Sequence, residues 1–171
     1  MSDKDTPAGE SAGNPAVTDE AMGKQVAMQK VYLRDASLEV PNGPGIFTHE
    51  WKPKLDVEVD TRAVKLSELS DQAHEVTLSI SIKATLNEQV AYLAELDQVG
   101  LFLITGFDNQ AEYRALLGAW CPTQLFPFAR EAVADLIQRS GFPHFLLQPI
   151  NFDSMYQQRL AHAEAEQATA H

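Results

Sequence analysis

Apolar and polar residues alternate along several stretches in the first two thirds of the chain. Such alternation is typical of β-strands that have one buried and one solvated face, because successive side chains of a strand point to opposite sides. The clearest example is HEVTLSISIK, in which every second residue is Val, Leu or Ile. We therefore predict four strands, within residues 33–40, 55–60, 74–83 and 91–107.

The polar faces of these predicted strands carry acids. Asp35 and Glu39 share one face of the first strand, Glu58 lies on the polar face of the second, and Leu93 falls on the same face as Glu95 in the fourth. A hydrated sheet face is the ordinary interpretation of such a pattern. An apolar residue among carboxylates also suits the docking of a basic partner, because the acids attract it and the apolar side chain is buried on contact.

The apolar period becomes helical after Gly106. Residues 111–120 favour a short helix, and a better helix is predicted from Leu125 to Ser140, ended by Gly141, provided that it begins within about one turn of Pro127. A last helix follows residues 151–153, where Asn151 or Asp153 is a suitable cap. Strands followed by helices predict an α+β fold, with a four-stranded antiparallel sheet followed by helices packed on one face.

Composition limits the possible functions. The chain has 171 residues and a formal net charge of -11, without a cluster of Lys or Arg, so nucleic acid is an unsuitable partner. It lacks a signal-like start and an apolar run of about 18 residues, which indicates a cytoplasmic protein without membrane insertion. The single cysteine, Cys121, forms no internal disulfide and fits a reducing compartment.

Both ends of the chain differ in composition from the middle. Residues 1–25 are rich in small and acidic residues, and we expect a disordered acidic tail. Residues 26–160 hold the periodic apolar positions and form the single predicted domain. Residues 161–171 are mostly Ala, Gln, Glu and His, so we expect a flexible C-terminal tail.

The sequence gives only weak support for catalytic or metal-binding residues. Cys121 precedes the main helix, where helix amides could activate a thiol, but no cysteine-hydrolase signature surrounds it and a buried structural cysteine is the simpler interpretation. His162 and Glu166 are four residues apart but lack further ligands. GxGxxG, Walker A, GxSxG and HExxH patterns are absent from the sequence. We therefore expect no enzyme activity, no metal and no cofactor.

Several segments in sequence order resemble the SecB family of protein-export chaperones. The segments are VYLRDASLEVPNGPGIF, GLF, CPTQLFPFARE, GFP and PINFDSMY, which span residues 31–156. The resemblance implies a homotetramer, built as a dimer of dimers with helices between two sheets. It also implies a cytosolic chaperone without ATP or cofactor, which holds unfolded precursor proteins and delivers them to the motor ATPase SecA.

The resemblance also implies two sets of binding residues. Its SecA-binding positions match Asp35, Glu39, Leu93 and Glu95 in this sequence. Its client-binding positions match Phe47, Trp51 and Phe102. The pattern of residues alone leaves the loop with Phe47 and Trp51 as either a cover of the core or the wall of a peptide groove.

Other functions remain open at this point. A chaperone of the same fold could serve a toxin–antitoxin system by protecting an unstable antitoxin. A small-ligand α+β protein or an enzyme using Cys121 is a further alternative.

Overall fold

A computed structural model describes residues 23–169 of the chain. It has an antiparallel four-stranded sheet followed by helices, which confirms the predicted α+β class. A 3-10 turn at Gly45–Thr48 and a π-helical turn at Leu116–Trp120 complete it. The main elements are β1 Gln25–Glu39, β2 Lys54–Lys65, β3 Ala73–Leu86, β4 Gln89–Thr105, α1 Gln110–Ala115, α2 Cys121–Arg139 and α3 Phe152–Thr169.

The strands are arranged in the order β1-β4-β3-β2, so β1 and β2 form the two edges of the sheet. The β2–β3 and β3–β4 connections are hairpins, and the second turns at Asn87 and Glu88, both with positive φ. Positive φ at two successive residues matches the right-handed twist of the strands that they join. Residues 40–53 instead cross from one edge to the other and place Ile46 in the core.

The core lies between the sheet and α2. Every second residue of β3 is buried and faces α2, as the alternation predicted, and α2 contributes apolar residues at helical spacing. The fully buried residues of this interface include Val76, Leu78, Ile82, Leu125, Ala129, Val133 and Ile137. The opposite side of the sheet, which we call the outer face, carries the polar residues of each strand.

The main helix begins earlier than predicted. α2 starts at Cys121, so Pro127 lies in its second turn, and the expectation of a start within one turn of Pro127 was wrong. A proline inside a helix costs about 3 kcal/mol or more, because it removes a hydrogen bond and crowds the preceding turn. Burial of the sheet-facing side chains of α2 offsets this cost. The predicted end is confirmed, since Gly141 has a φ of 89° and follows the C-cap Ser140.

The ordered elements extend beyond the domain limits predicted from composition. Gln25 already belongs to β1, and Lys24 forms an ion pair with Glu112 of α1 at 2.6 Å. Residues 1–22 of the expected N-terminal tail lie outside the described residues. At the other end, α3 continues to Thr169, with exposed side chains from Gln157 to Glu166. Asn151, rather than Asp153, caps α3, because its side chain accepts a hydrogen bond from the Ser154 N–H at 2.9 Å.

Candidate binding surfaces

The strand register places all four predicted SecA-binding residues on the outer face. Glu39 lies directly opposite Leu93 in the β1–β4 ladder, while Ser37 lies opposite Glu95 and Asp35 opposite Asp97. Residues directly opposite each other in an antiparallel ladder project to the same side. Asp35, Glu39 and Glu95 are exposed and Leu93 is half-buried, so one apolar side chain lies among carboxylates.

The same rows continue across β3 and β2. In one row across the strands, Asp97 lies opposite Ser79, which lies opposite Asp60. In the next row, Ser81 lies between Glu95 and Glu58. Small serines separate the acids, so the middle of the face is a depression with a volume of about 420 Å³. We call the depression, together with Leu93 and Glu39, the acidic face. The carboxylates that line the depression are Asp35, Glu58, Asp60, Glu95 and Asp97.

Two arginines lie at the rim of the depression. Arg34 forms ion pairs with Glu75 at 2.9 Å and with Asp97 at 3.4 Å, and Arg159 reaches Asp60 at 2.6 Å. Arg34 points to the outer face because a bulge interrupts the β1–β4 register between Leu33 and Asp35. Within residues 23–169, the ion pairs of the sheet involve neither Glu58 nor Glu95, so the centre of the acidic face keeps its negative charge.

Two of the predicted client-binding residues join one aromatic cluster. The Trp51 ring lies 5.1 Å from Phe142 and 6.2 Å from Tyr92, and the Phe47 ring lies 4.9 Å from Phe142. Tyr92 and Phe142 are buried, whereas Phe47 is 50% exposed and Trp51 is partly exposed. Burial also raises the pKa of Tyr92 to about 12. In the cluster of Phe47, Trp51, Tyr92 and Phe142, two buried rings therefore support two rings that are open to solvent.

An apolar groove with a volume of about 340 Å³ runs beside β2. Leu55 and Val57 face the helix side of the sheet, yet they remain 37% and 42% exposed. The opposite wall is the extended segment of residues 143–150, which has Pro143 at its start and Pro149 near its end. This groove was not predicted from the sequence, although the apolar run FLL at residues 145–147, between Pro143 and Pro149, was a signal for it. Its lining residues are Leu55, Val57, Phe145, Leu146, Leu147, Gln148, Pro149 and Ile150.

Phe102 does not join the aromatic cluster. It is 0% exposed, lies opposite Met28 and His74 on the core side of β4, and its ring packs at 6.4 Å from Trp120. A Cβ on Gly100 would lie only 2.6 Å from the Phe102 ring, which shows how tightly the ring is held. The side chain of Phe102, the third client-binding position that the resemblance implies, is therefore part of the core of this chain.

A second apolar surface lies at the opposite edge of the sheet. Met28 and Leu33 of β1 are exposed on the helix side, and so are Trp120 and Phe128 at the start of the long helix. Leu33 and Phe128 line one shallow depression between β1 and α2. We call Met28, Leu33, Trp120 and Phe128 the β1-edge patch. Its position beside β1, an edge strand of the described sheet, suits contact with another chain.

The candidate nucleophile is inaccessible. Cys121 is fully buried, and burial raises its pKa to about 12, so the thiol stays protonated near neutral pH. Within residues 23–169, no three or more His, Cys, Asp and Glu side chains are grouped as metal ligands. Among the same residues, no helix has the length and apolar character needed to cross a membrane.

Comparison with known proteins identifies the family. A family model described as preprotein translocase subunit SecB matches residues 19–163. The protein-export protein SecB of Methylococcus capsulatus is 46% identical over 150 residues, which cover 86% of this chain and 94% of that protein. The corresponding protein of Alkalilimnicola ehrlichii is 48% identical over 149 residues, which cover 85% of this chain and 77% of that protein.

A solved structure has the same fold. It is a SecB-like chaperone of Mycobacterium tuberculosis in complex with a peptide from the HigA1 antitoxin. The match has a TM-score of 0.59 at 21% identity and covers 73% of this chain and 90% of that one. Since the family model spans most of the chain and relatives are 46% and 48% identical over the aligned residues, this chain belongs to the SecB family of protein-export chaperones.

Proposed function

We propose that this protein holds unfolded precursor proteins in the cytosol and delivers them to the motor ATPase SecA. The observation that carries the proposal is the position of Asp35, Glu39, Leu93 and Glu95 on one open face of the sheet. These residues match the SecA-binding positions that the family resemblance implies. Their grouping in adjacent rows makes one binding surface physically possible.

The acidic face suits a basic partner with an apolar contact point. Its carboxylates surround a depression without a lysine or arginine among the lining residues. Such a surface accelerates encounter with a basic partner through long-range attraction, whereas burial of Leu93 adds affinity that salt does not screen. The negative charge therefore selects a basic partner, and the apolar contact at Leu93 increases the lifetime of the complex.

The aromatic cluster and the apolar groove suit an unfolded chain. The segments around Trp51 and Phe142 lead directly into the two walls of the groove, which begin at Leu55 and Phe145. Burying about 100 Å² of a client's apolar surface gains roughly 2.5 kcal/mol at about 25 cal/mol per Å². Folded proteins hide such surface, so the groove discriminates by folding state rather than by sequence. We assign client contact to Phe47, Trp51 and the groove, without Phe102.

We also propose assembly into a homotetramer, as a dimer of dimers. The β1-edge patch supports this assembly, because it joins exposed apolar side chains with an unpaired strand edge in a single chain. Pairing two copies there removes this surface from water and blunts the edge. Several client grooves in one assembly bind different parts of the same unfolded chain, which raises the overall affinity.

A second candidate is the protection of an unstable antitoxin. The M. tuberculosis structure favours it, because a chaperone of this fold binds an antitoxin peptide there. Its identity to this chain is 21%, compared with 46% and 48% for the relatives named protein-export protein. We therefore place the export function first. Binding of SecA separates the two functions.

The direct test combines light scattering, a SecA binding assay and an aggregation assay. The export function requires a mass close to four chains, saturable binding to purified SecA, and suppressed aggregation of a chemically unfolded client. A monomer that ignores SecA contradicts the proposal. A tetramer that suppresses aggregation but ignores SecA instead supports the antitoxin function.

A further inference from the structure

Arg159 of α3 reaches around the β2 edge to the acidic face. One guanidinium nitrogen, Nη2, donates to Asp60 Oδ1 at 2.6 Å, and the other, Nη1, donates to Thr61 Oγ1 at 2.8 Å. Nη1 also points to the Thr61 carbonyl at 3.3 Å. A planar guanidinium thus holds a strand edge, a hydroxyl and an acid of the depression at the same time.

The same arginine marks the transition between a packed and an exposed part of α3. Phe152 is buried against Phe126, at 5.8 Å between rings, and Tyr156 lies so close over Gly118 that a Cβ there would be 2.5 Å away. Arg159 follows less than one turn later, and the side chains from Leu160 to Glu166 are exposed. The start of α3 is therefore held by ring contacts, and Arg159 adds a polar contact between β2 and the part of α3 that follows.

We propose that Arg159 is a tethered competitor of the basic partner for the acidic face. A lysine or arginine of the partner that engages Asp60 weakens the attraction between Asp60 and Arg159. The C-terminal part of α3, from Gln157 onwards, then leaves β2 while Phe152 and Tyr156 stay packed. Occupation of the acidic face is thereby coupled to release of this part of α3 from β2.

The coupling follows from linkage. If docking of α3 weakens partner binding by some factor, partner binding weakens docking of α3 by the same factor. Exposed ion pairs are individually weak, so the expected factor is about two- to fivefold. Such a modest factor suits a contact that must open during each delivery. The identity of the partner as SecA rests on the proposed function, but competition between cations for Asp60 does not.

The test compares Arg159→Gln with Arg114→Gln in the full-length chain. Arg114 is an exposed arginine of α1 outside the acidic depression, so both variants change the net charge equally. Amide hydrogen exchange of residues 157–169 is measured for each protein alone, with purified SecA, and with a ten-residue lysine peptide. Affinity for both ligands is measured by titration.

The expected result has two parts. Residues 157–169 exchange faster in free Arg159→Gln than in the wild type, and either ligand speeds their exchange in the wild type and in Arg114→Gln but not in Arg159→Gln. Arg159→Gln also binds about two- to fivefold more tightly than Arg114→Gln. Unchanged exchange in the ligand-bound wild type, or equal affinities of the two variants, overturns the inference.

The two ligands separate this inference from the proposed function. Absence of SecA binding to the wild type contradicts the export function, and the lysine peptide then decides the competition alone. If the peptide also fails to bind, the acidic face does not accept cations and the inference is overturned. Binding of SecA without any change in α3 leaves the export function intact and removes only the role of Arg159.

Discussion

Tyr113 and His74 form a partly buried hydrogen bond that joins α1 to β3. The His74 ring is 3% exposed, and its Nδ1 lies 3.0 Å from the Gln72 carbonyl. Because a carbonyl can only accept, Nδ1 carries the proton, and Nε2 is left to accept from the Tyr113 hydroxyl. Both nitrogens of the neutral ring are thus hydrogen-bonded, and a second proton on Nε2 would place a charge in a desolvated site and turn the Tyr113 hydroxyl from donor to acceptor.

This pair predicts a loss of stability at mildly acidic pH. Burial lowers the pKa of His74, and Lys65 lowers it further, while the hydrogen bond to Gln72 opposes them. The folded pKa is therefore below the unfolded value of about 6.5. The stabilising effect of neutral His74 is complete above the unfolded value and declines as pH falls towards the folded value, because the unfolded chain then binds more protons.

Urea unfolding between pH 5 and pH 7.5 measures this effect. We expect the free energy of unfolding of the wild type to fall more steeply below about pH 6.5 than that of His74→Gln, which does not titrate. His144→Gln, at an exposed histidine, is the matched control and keeps the wild-type slope. Equal slopes in all three proteins remove His74 as the source of acid sensitivity.

Charge reversal on the acidic face is expected to separate partner binding from client holding. In Leu93→Arg the apolar contact is replaced by a cation, and in Glu95→Lys the central carboxylate is reversed, so both repel a basic partner. We expect SecA affinity to fall at least about tenfold in each, with aggregation suppression unchanged. Glu68→Lys, an exposed acid of the β2–β3 hairpin outside the depression, serves as the control. Equal loss of SecA binding and client holding in Leu93→Arg contradicts the assignment.

The opposite separation is expected for the aromatic cluster. Trp51→Ser removes a partly exposed ring that stacks on Tyr92 and packs at a tilt against Phe142. We expect several-fold weaker suppression of client aggregation, whereas SecA binding to the outer face stays near the wild-type value. Leu69→Ser is a matched control, because Leu69 is 70% exposed but lies on the β2–β3 hairpin. Wild-type suppression by Trp51→Ser excludes Trp51 from client contact.

The sequence predicted which side of the sheet each strand residue faces, but not which segments pack on that side. Alternation placed Asp35, Glu39, Leu93 and Glu95 outward, and the register agrees. The same alternation places Phe102, nine residues after Leu93, on the core side, so its burial was already contained in the pattern. Periodicity is a local property, and it therefore distinguishes the two sides of each strand.

Other features depend on contacts between distant segments. Leu55 and Val57 face inward in the pattern, but whether a helix covers them depends on the path of residues 143–150. Pro127 similarly favours a helix start nearby, and the packing of α2 against the sheet overrides this preference. Arg159 gave no signal in the sequence, because its partners lie almost a hundred positions away, at separations of 98 and 99 residues.

Gly118 provides a test of how α3 is held. A Cβ at this position would lie 2.5 Å and 2.7 Å from two carbons of the Tyr156 ring, so alanine forces the ring away from the π-helical turn. Overpacking of this kind costs about 1–3 kcal/mol, and we expect Gly118→Ala to lower the free energy of unfolding by that amount in urea. Gly45→Ala, with open space around its Cβ, should stay within about 0.5 kcal/mol of the wild type. Faster exchange confined to α3 and the π-helical turn in Gly118→Ala would locate the damage there. Wild-type stability and exchange in this variant would mean that Tyr156 does not hold the start of α3.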